Sequence, residues 1–237
     1  MKNFVFIFCV FIGALNTSQA APTVDSSYYS IASMKTTATV VPESPLNDNI
    51  LLEARRQLLV DTQLGADPLS IINTLLTLWQ VIESNKPVVN INTKGASALP
   101  DIAKTDWTLV TGWKPEHVVN YKVEWSNPYG MKVISLDFEV RQTYGGSLKG
   151  KGQYIAVARV VPVAVNVDWG FDLNVNVNVP SVTNRGTVDD PLAEIAMEVT
   201  YQAKGMFQNE TVTEPYLLRG DGYFANTRTH QIFFKGK

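Results

Sequence analysis

One cysteine, Cys9, stands in the whole sequence, and it lies inside the first apolar run. No intrachain disulfide can form, so the fold has to be stabilised by burial and hydrogen bonding. Histidine is almost as scarce: His117 and His230 are the two, and they share no motif. H-E-x-x-H and G-x-S-x-G do not occur, which removes the usual sequence marks of zinc proteases and serine hydrolases. Charge is sparse as well, at 18% of residues, with a net −2 and no basic block. That balance argues against nucleic acid and against an electrostatic hold on anionic lipid.

What is present begins at the N-terminus. Lys2 supplies one positive charge, "FVFIFCVFIGAL" (Phe4–Leu15) runs without a polar group, and "NTSQA" sets Ser18 and Ala20 at small-residue cleavage positions. Residues 1–20 therefore read as a secretory signal peptide. The run is too short to span a bilayer, which takes about 20 residues. Cleavage would remove both Lys2 and Cys9. The expectation is an exported protein, periplasmic or secreted, and bacterial in type, because an extracellular chain without thiols suits that setting best.

Three regions follow. Residues 21–44 are rich in Ser, Thr and Ala and read as a flexible leader; the alternative is an extended segment that pairs onto a sheet edge through "TATVV". Residues 45–85 carry helix signals. Ser44-Pro45 and Asp67-Pro68 are starts, Gly65 and Pro87 are stops, and apolar residues recur at three- and four-residue spacing between them. From residue 86 to 237 the period changes to two, as in Tyr121, Val123, Trp125 and in Ile134, Leu136, Phe138, Val140. The predicted fold is mainly β (α+β): an antiparallel β-sandwich preceded by an N-terminal helical hairpin packed on it.

The most regular alternation is "FDLNVNVNVPSV" (Phe171 to Val182). Apolar residues hold odd positions from Val163 to Val179, and Asp172, Asn174, Asn176 and Asn178 hold even ones. One straight strand over that length would span roughly 56 Å at about 3.3 Å per residue. Either the chain bends at Trp169-Gly170, or the strand is unusually long. The carboxamide row has three readings. It is a solvated face stabilised by a cross-strand amide ladder, a recognition surface for sugar hydroxyls, or the lumen side of a bilayer-inserted strand.

Other patterns that suggest chemistry fail on inspection. Gly145 to Lys151 opens like a phosphate loop, but Gly152 stands where Ser or Thr must hold magnesium, and the segment joins two strands. Counting from Asp172, the EF-hand glycine and glutamate positions hold Val177 and Thr183. Asp189 and Asp190, in the loop from 183 to 191, are the remaining calcium candidates, and no other cofactor is indicated. Arg219-Gly220-Asp221 spells an adhesion tripeptide, though Asp221-Gly222 also makes a good tight turn. Trp107 and Trp113 are candidates for a sugar-stacking platform, while Trp125 and Trp169 fall in phase with core residues and are expected to be buried. Asn209-Glu210-Thr211 is a glycosylation triplet.

The functional expectation is a non-catalytic binding protein of the cell envelope or extracellular space, with a glycan or cell-surface partner. A membrane-inserting or pore-forming β protein is the alternative, and a polysaccharide hydrolase, which needs two facing carboxylates, is the second.

Overall fold

Alternating apolar and polar residues produce strands throughout the computed structural model, which describes residues 26–42, 77–81, 89–93, 95–100 and 109–236. The first sheet contains β1 (Ser33–Val41), β4 (Gly95–Ala98), β5 (Val110–Thr111), β6 (His117–Ser126), β7 (Lys132–Leu148) and β8 (Lys151–Val167). Its order is β1-β6-β7-β8-β4, with β5 also paired to β7. The second contains β2 (Thr77–Val81), β3 (Val89–Thr93), β9 (Asp172–Asn184), β10 (Ala193–Lys204), β11 (Asn209–Arg219), β12 (Phe224–Asn226) and β13 (Gln231–Phe234). Its order is β13-β12-β11-β10-β9-β3-β2, antiparallel except for the parallel pair β3–β9.

The core lies between the two sheets. Tyr121, Val123 and Trp125 of β6, Leu136 and Phe138 of β7, Val175 and Val177 of β9, and Val199 and Tyr201 of β10 are all buried in one cluster. Trp125 meets Tyr201 edge-on at 5.9 Å across the gap, and Tyr121 meets Tyr216 in the same way at 5.2 Å. The antiparallel sandwich read from the sequence is therefore present.

The helical hairpin is not supported: among the described residues there is no helix. Its first half, 45–65, lies outside them. Within its second half, Thr77–Val81 forms β2 and pairs antiparallel with β3. Leu and Trp at helical spacing are compatible with either state in a short segment, and pairing with a neighbouring strand decides it. The segment expected to be a leader contains β1, so the edge-pairing alternative describes it better. Ser33–Val41 joins β6 in continuous register, from Ser33 opposite Ser126 to Val41 opposite Val118.

The long alternation resolves into two strands in different sheets. β8 ends at Val167, a turn closed by Phe171 N–H donating to the Asp168 carbonyl (3.2 Å) follows, and β9 begins at Asp172. Gly170 takes φ +87°, a conformation that only glycine adopts without strain, and the chain crosses there from one sheet to the other. Trp169 therefore sits on the corner and is 63% exposed, not buried as its phase implied, whereas Trp125 is 1% exposed. Val163 departs from the pattern for another reason. It is the extra residue of a bulge between the pairs Asp137–Ala164 and Phe138–Pro162, and it faces solvent.

Candidate functional site

The carboxamide row runs along the outside of the second sheet. Because β9 begins in register at Asp172, its odd residues Leu173, Val175 and Val177 go into the core and its even residues face away. Asn176 and Asn178 are exposed, while Asp172 and Asn174 are half-buried. Opposite them on β10 stand Lys204 (to Asp172), Gln202 (to Asn174), Thr200 (to Asn176) and Glu198 (to Asn178). On the other side, β3 places Asn90 beside Asn174 and Asn92 beside Asn176. The row continues onto β11, where the Thr200 and Thr213 hydroxyls lie 2.9 Å apart. Four adjacent strands thus carry amide and hydroxyl positions in register, with neighbouring strands about 4.8 Å apart and same-face residues about 6.6 Å apart.

This face stops at Pro180. Between the pairs Asn178–Glu198 and Ser181–Ala196, β9 has one residue more than β10, and the faces exchange beyond that bulge. Proline has no N–H to give the ladder, so the bulge falls where a hydrogen bond would in any case be missing. Val182 is then opposite the inward-facing Ile195.

At that end of β9 a groove of about 410 Å³ opens, walled by Leu99, Pro100, Tyr154, Val182 and Pro191. The Tyr154 phenol is held above its ordinary value, first by burial and then by the charge of Asp190, so it stays a hydrogen-bond donor. Asn184, which also lines the groove, uses its side-chain oxygen on the N–H groups of Gly186 and Leu192.

The remaining sequence candidates are dispersed. Trp113 packs on Gly146 of β7, where an added Cβ would come within 2.4 Å of its ring, so it belongs to the first sheet and does not join the row. Trp107 lies outside the described residues. Asp190 accepts the Gly152 N–H at 2.8 Å, and no group of three His, Cys, Asp or Glu residues able to hold a metal occurs among the described residues. Both Asp189 and Asp190 lie in the exposed loop between β9 and β10.

The glycine-rich segment 144–152 is a hairpin. Lys149 and Gly150 both take positive φ, at 52° and 76°, between the paired residues Leu148 and Lys151. Arg219 and Asp221 pair with each other, and Asp221 also accepts the Tyr223 N–H and is buried. The tripeptide is a structural turn, and its two charged groups are occupied.

Sequence reading missed a charged cluster at the first sheet. Glu116 and Glu139 both bind Arg141, at 2.9 and 2.6 Å, and Arg159 lies 3.9 Å from Glu116. Glu116 is distant in sequence from the rest, so no local pattern marked it. The shared Arg141 joins these two carboxylates in one ion-pair network. Comparison with protein-family models, with characterised proteins and with solved structures gave no match.

Proposed function

We propose that the chain is an exported, non-catalytic binding protein that recognises a polyhydroxylated ligand, a glycan of the cell envelope or extracellular space, on the β9 face. The observation that carries this reading is the exposure of Asn176 and Asn178 in the middle of a sheet, Asn176 in register with Thr200 and Thr213 and Asn178 opposite Glu198. Asparagine is among the poorer strand formers. A purely solvated face would be served better by threonine, so its repeated use at outward positions points to hydrogen bonding with something outside the chain. Each carboxamide offers two donors and an acceptor, which matches vicinal sugar hydroxyls.

Bilayer insertion of β9 fits less well, since Val175 and Val177 would have to leave the core they fill. The test is a glycan-binding screen of the wild type beside Asn176→Ala/Asn178→Ala. Saturable binding lost in the variant, with unfolding unchanged, supports the reading. Absence of binding across the screen, or equal binding by both proteins, overturns it.

A further inference from the structure

Four stretches of chain meet at one end of the sandwich: residues 26–32 and the turns at 127–131, 168–171 and 205–208. The first of them ties the others together. Ala32 N–H donates to the Ser126 carbonyl at 2.8 Å and Met206 N–H to the Tyr29 carbonyl at 3.1 Å. The Asn127 side-chain amide donates to the Tyr28 carbonyl at 3.3 Å, and the Tyr29 ring meets Trp169 edge-on at 5.5 Å. The turns are therefore held as one surface.

That surface is apolar and outward-facing. Of the eleven large hydrophobic residues exposed among the described ones, Tyr129, Met131, Trp169, Met206 and Phe207 stand here, and they include every exposed aromatic ring of that set. They are 49 to 65% exposed, on turn tips, so they form knobs and not a groove.

We infer that this end of the molecule is a lipid-contact surface that seats in the interfacial region of a neutral bilayer. Three observations select a bilayer over a protein partner. Trp and Tyr rings with Met and Phe beside them are the mixture that partitions to the boundary between headgroup and acyl chain. Charge near the turns is balanced, with Lys132 and Lys204 against Asp168 and Asp172, so anionic lipid gains no special hold. The position of the N-terminus agrees. Ser26 lies at this end, and ten residues separate it from the apolar segment Phe4–Leu15, a reach of at most about 40 Å. While the two remain joined, a bilayer that holds that segment lies within this reach of this end of the sandwich. The surface is separate from the β9 face and does not depend on glycan binding.

The experiment uses the protein as an expressing host secretes it, from a host that does not N-glycosylate, with its N-terminus read by mass spectrometry. It is floated with phosphatidylcholine vesicles at low and high salt. Co-flotation unaffected by salt is expected, and Trp169→Ala/Phe207→Ser should lower the bound fraction at least about tenfold. Val188→Ser, at a 95% exposed position in the loop at the opposite end, should bind as the wild type does. Brominated lipid should quench the wild-type tryptophan fluorescence and should quench Trp169→Phe much less, even though that variant still floats. No flotation of the wild type overturns the inference, as does equal flotation of the double variant. Self-association that the double variant abolishes, without flotation, also overturns it and assigns the surface to a second copy of the chain.

Discussion

The ring of Tyr29 occupies the space where Gly170 would carry a side chain: a Cβ built there would lie 2.5 Å from the Tyr29 Cδ1. One residue precedes β1 and the other forms the corner between the sheets, so their contact joins the N-terminal segment to the sheet crossing. Gly170→Ala adds the methyl clash to a positive φ of 87°, which alone costs about 1–2 kcal/mol for a residue with a Cβ. A loss of about 2–3 kcal/mol in denaturant unfolding is expected. Tyr29→Ala in the same background should restore part of it, giving clear non-additivity in a double-mutant cycle. Purely additive losses would show that the two do not communicate.

Three phenols lie buried together between the sheets, Tyr121, Tyr201 and Tyr216, and burial is the first cause holding each above its ordinary value of 10. The raised folded-state values set the sign. Below about pH 10 both states keep the proton and stability is unaffected; above it, the unfolded chain releases protons that the folded chain retains. Each tyrosine then lowers stability by about 1.4 kcal/mol per pH unit, so the three together lower it by about 4. Denaturant melts at stepped pH values should show that slope beginning near pH 10. Absorbance of phenolate should report these three only as the protein unfolds.

None of those three hydroxyls makes a well-formed hydrogen bond among the described residues, although Tyr216 approaches those of both Tyr121 and Tyr201. A buried hydroxyl without a well-formed bond carries much of a desolvation cost of about 1–3 kcal/mol. Tyr201→Phe removes that group while leaving the ring that contacts Trp125 and Phe138. Stability at neutral pH should hold or rise by up to about 1 kcal/mol, and the alkaline slope should fall by about a third. A clear loss of stability would mean that the hydroxyl is satisfied in solution.

Much of this fold could be read from period-two alternation, because β6, β7 and β10 each have one face in the core. β1 could not: only Met34, Ala38 and Val41 along it are half-buried, and it is held by backbone pairing to β6 that leaves little trace in residue type. Trp169 misled for a related reason, since the alternation continues unbroken through a corner where the chain leaves one sheet for the other. The carboxamide row was visible because its members are local in sequence. The cluster around Arg141 and the aromatic end were not, because each is assembled from separate segments that tertiary structure alone brings together.

The adhesion tripeptide offers a prediction opposite to the one its sequence suggests. Asp221 is 7% exposed, is paired with Arg219 and accepts the Tyr223 N–H, and an added Cβ on Gly220 would meet the Gln153 carbonyl at 2.0 Å. The Gln142 side-chain amide donates to the Arg219 carbonyl, which fixes the backbone on the other side. Asp221→Ala should therefore act as a stability mutation, costing about 2–4 kcal/mol, since it leaves the Tyr223 N–H and a partly buried guanidinium without their acceptor. Asp221→Asn keeps an acceptor for that N–H and should cost less. Thermal melts of the two variants would give that order, and cell adhesion to the folded wild type should not respond to competing tripeptide. Adhesion that such a peptide does compete away would require the turn to open, because the carboxylate an adhesion receptor must bind is already taken by Arg219.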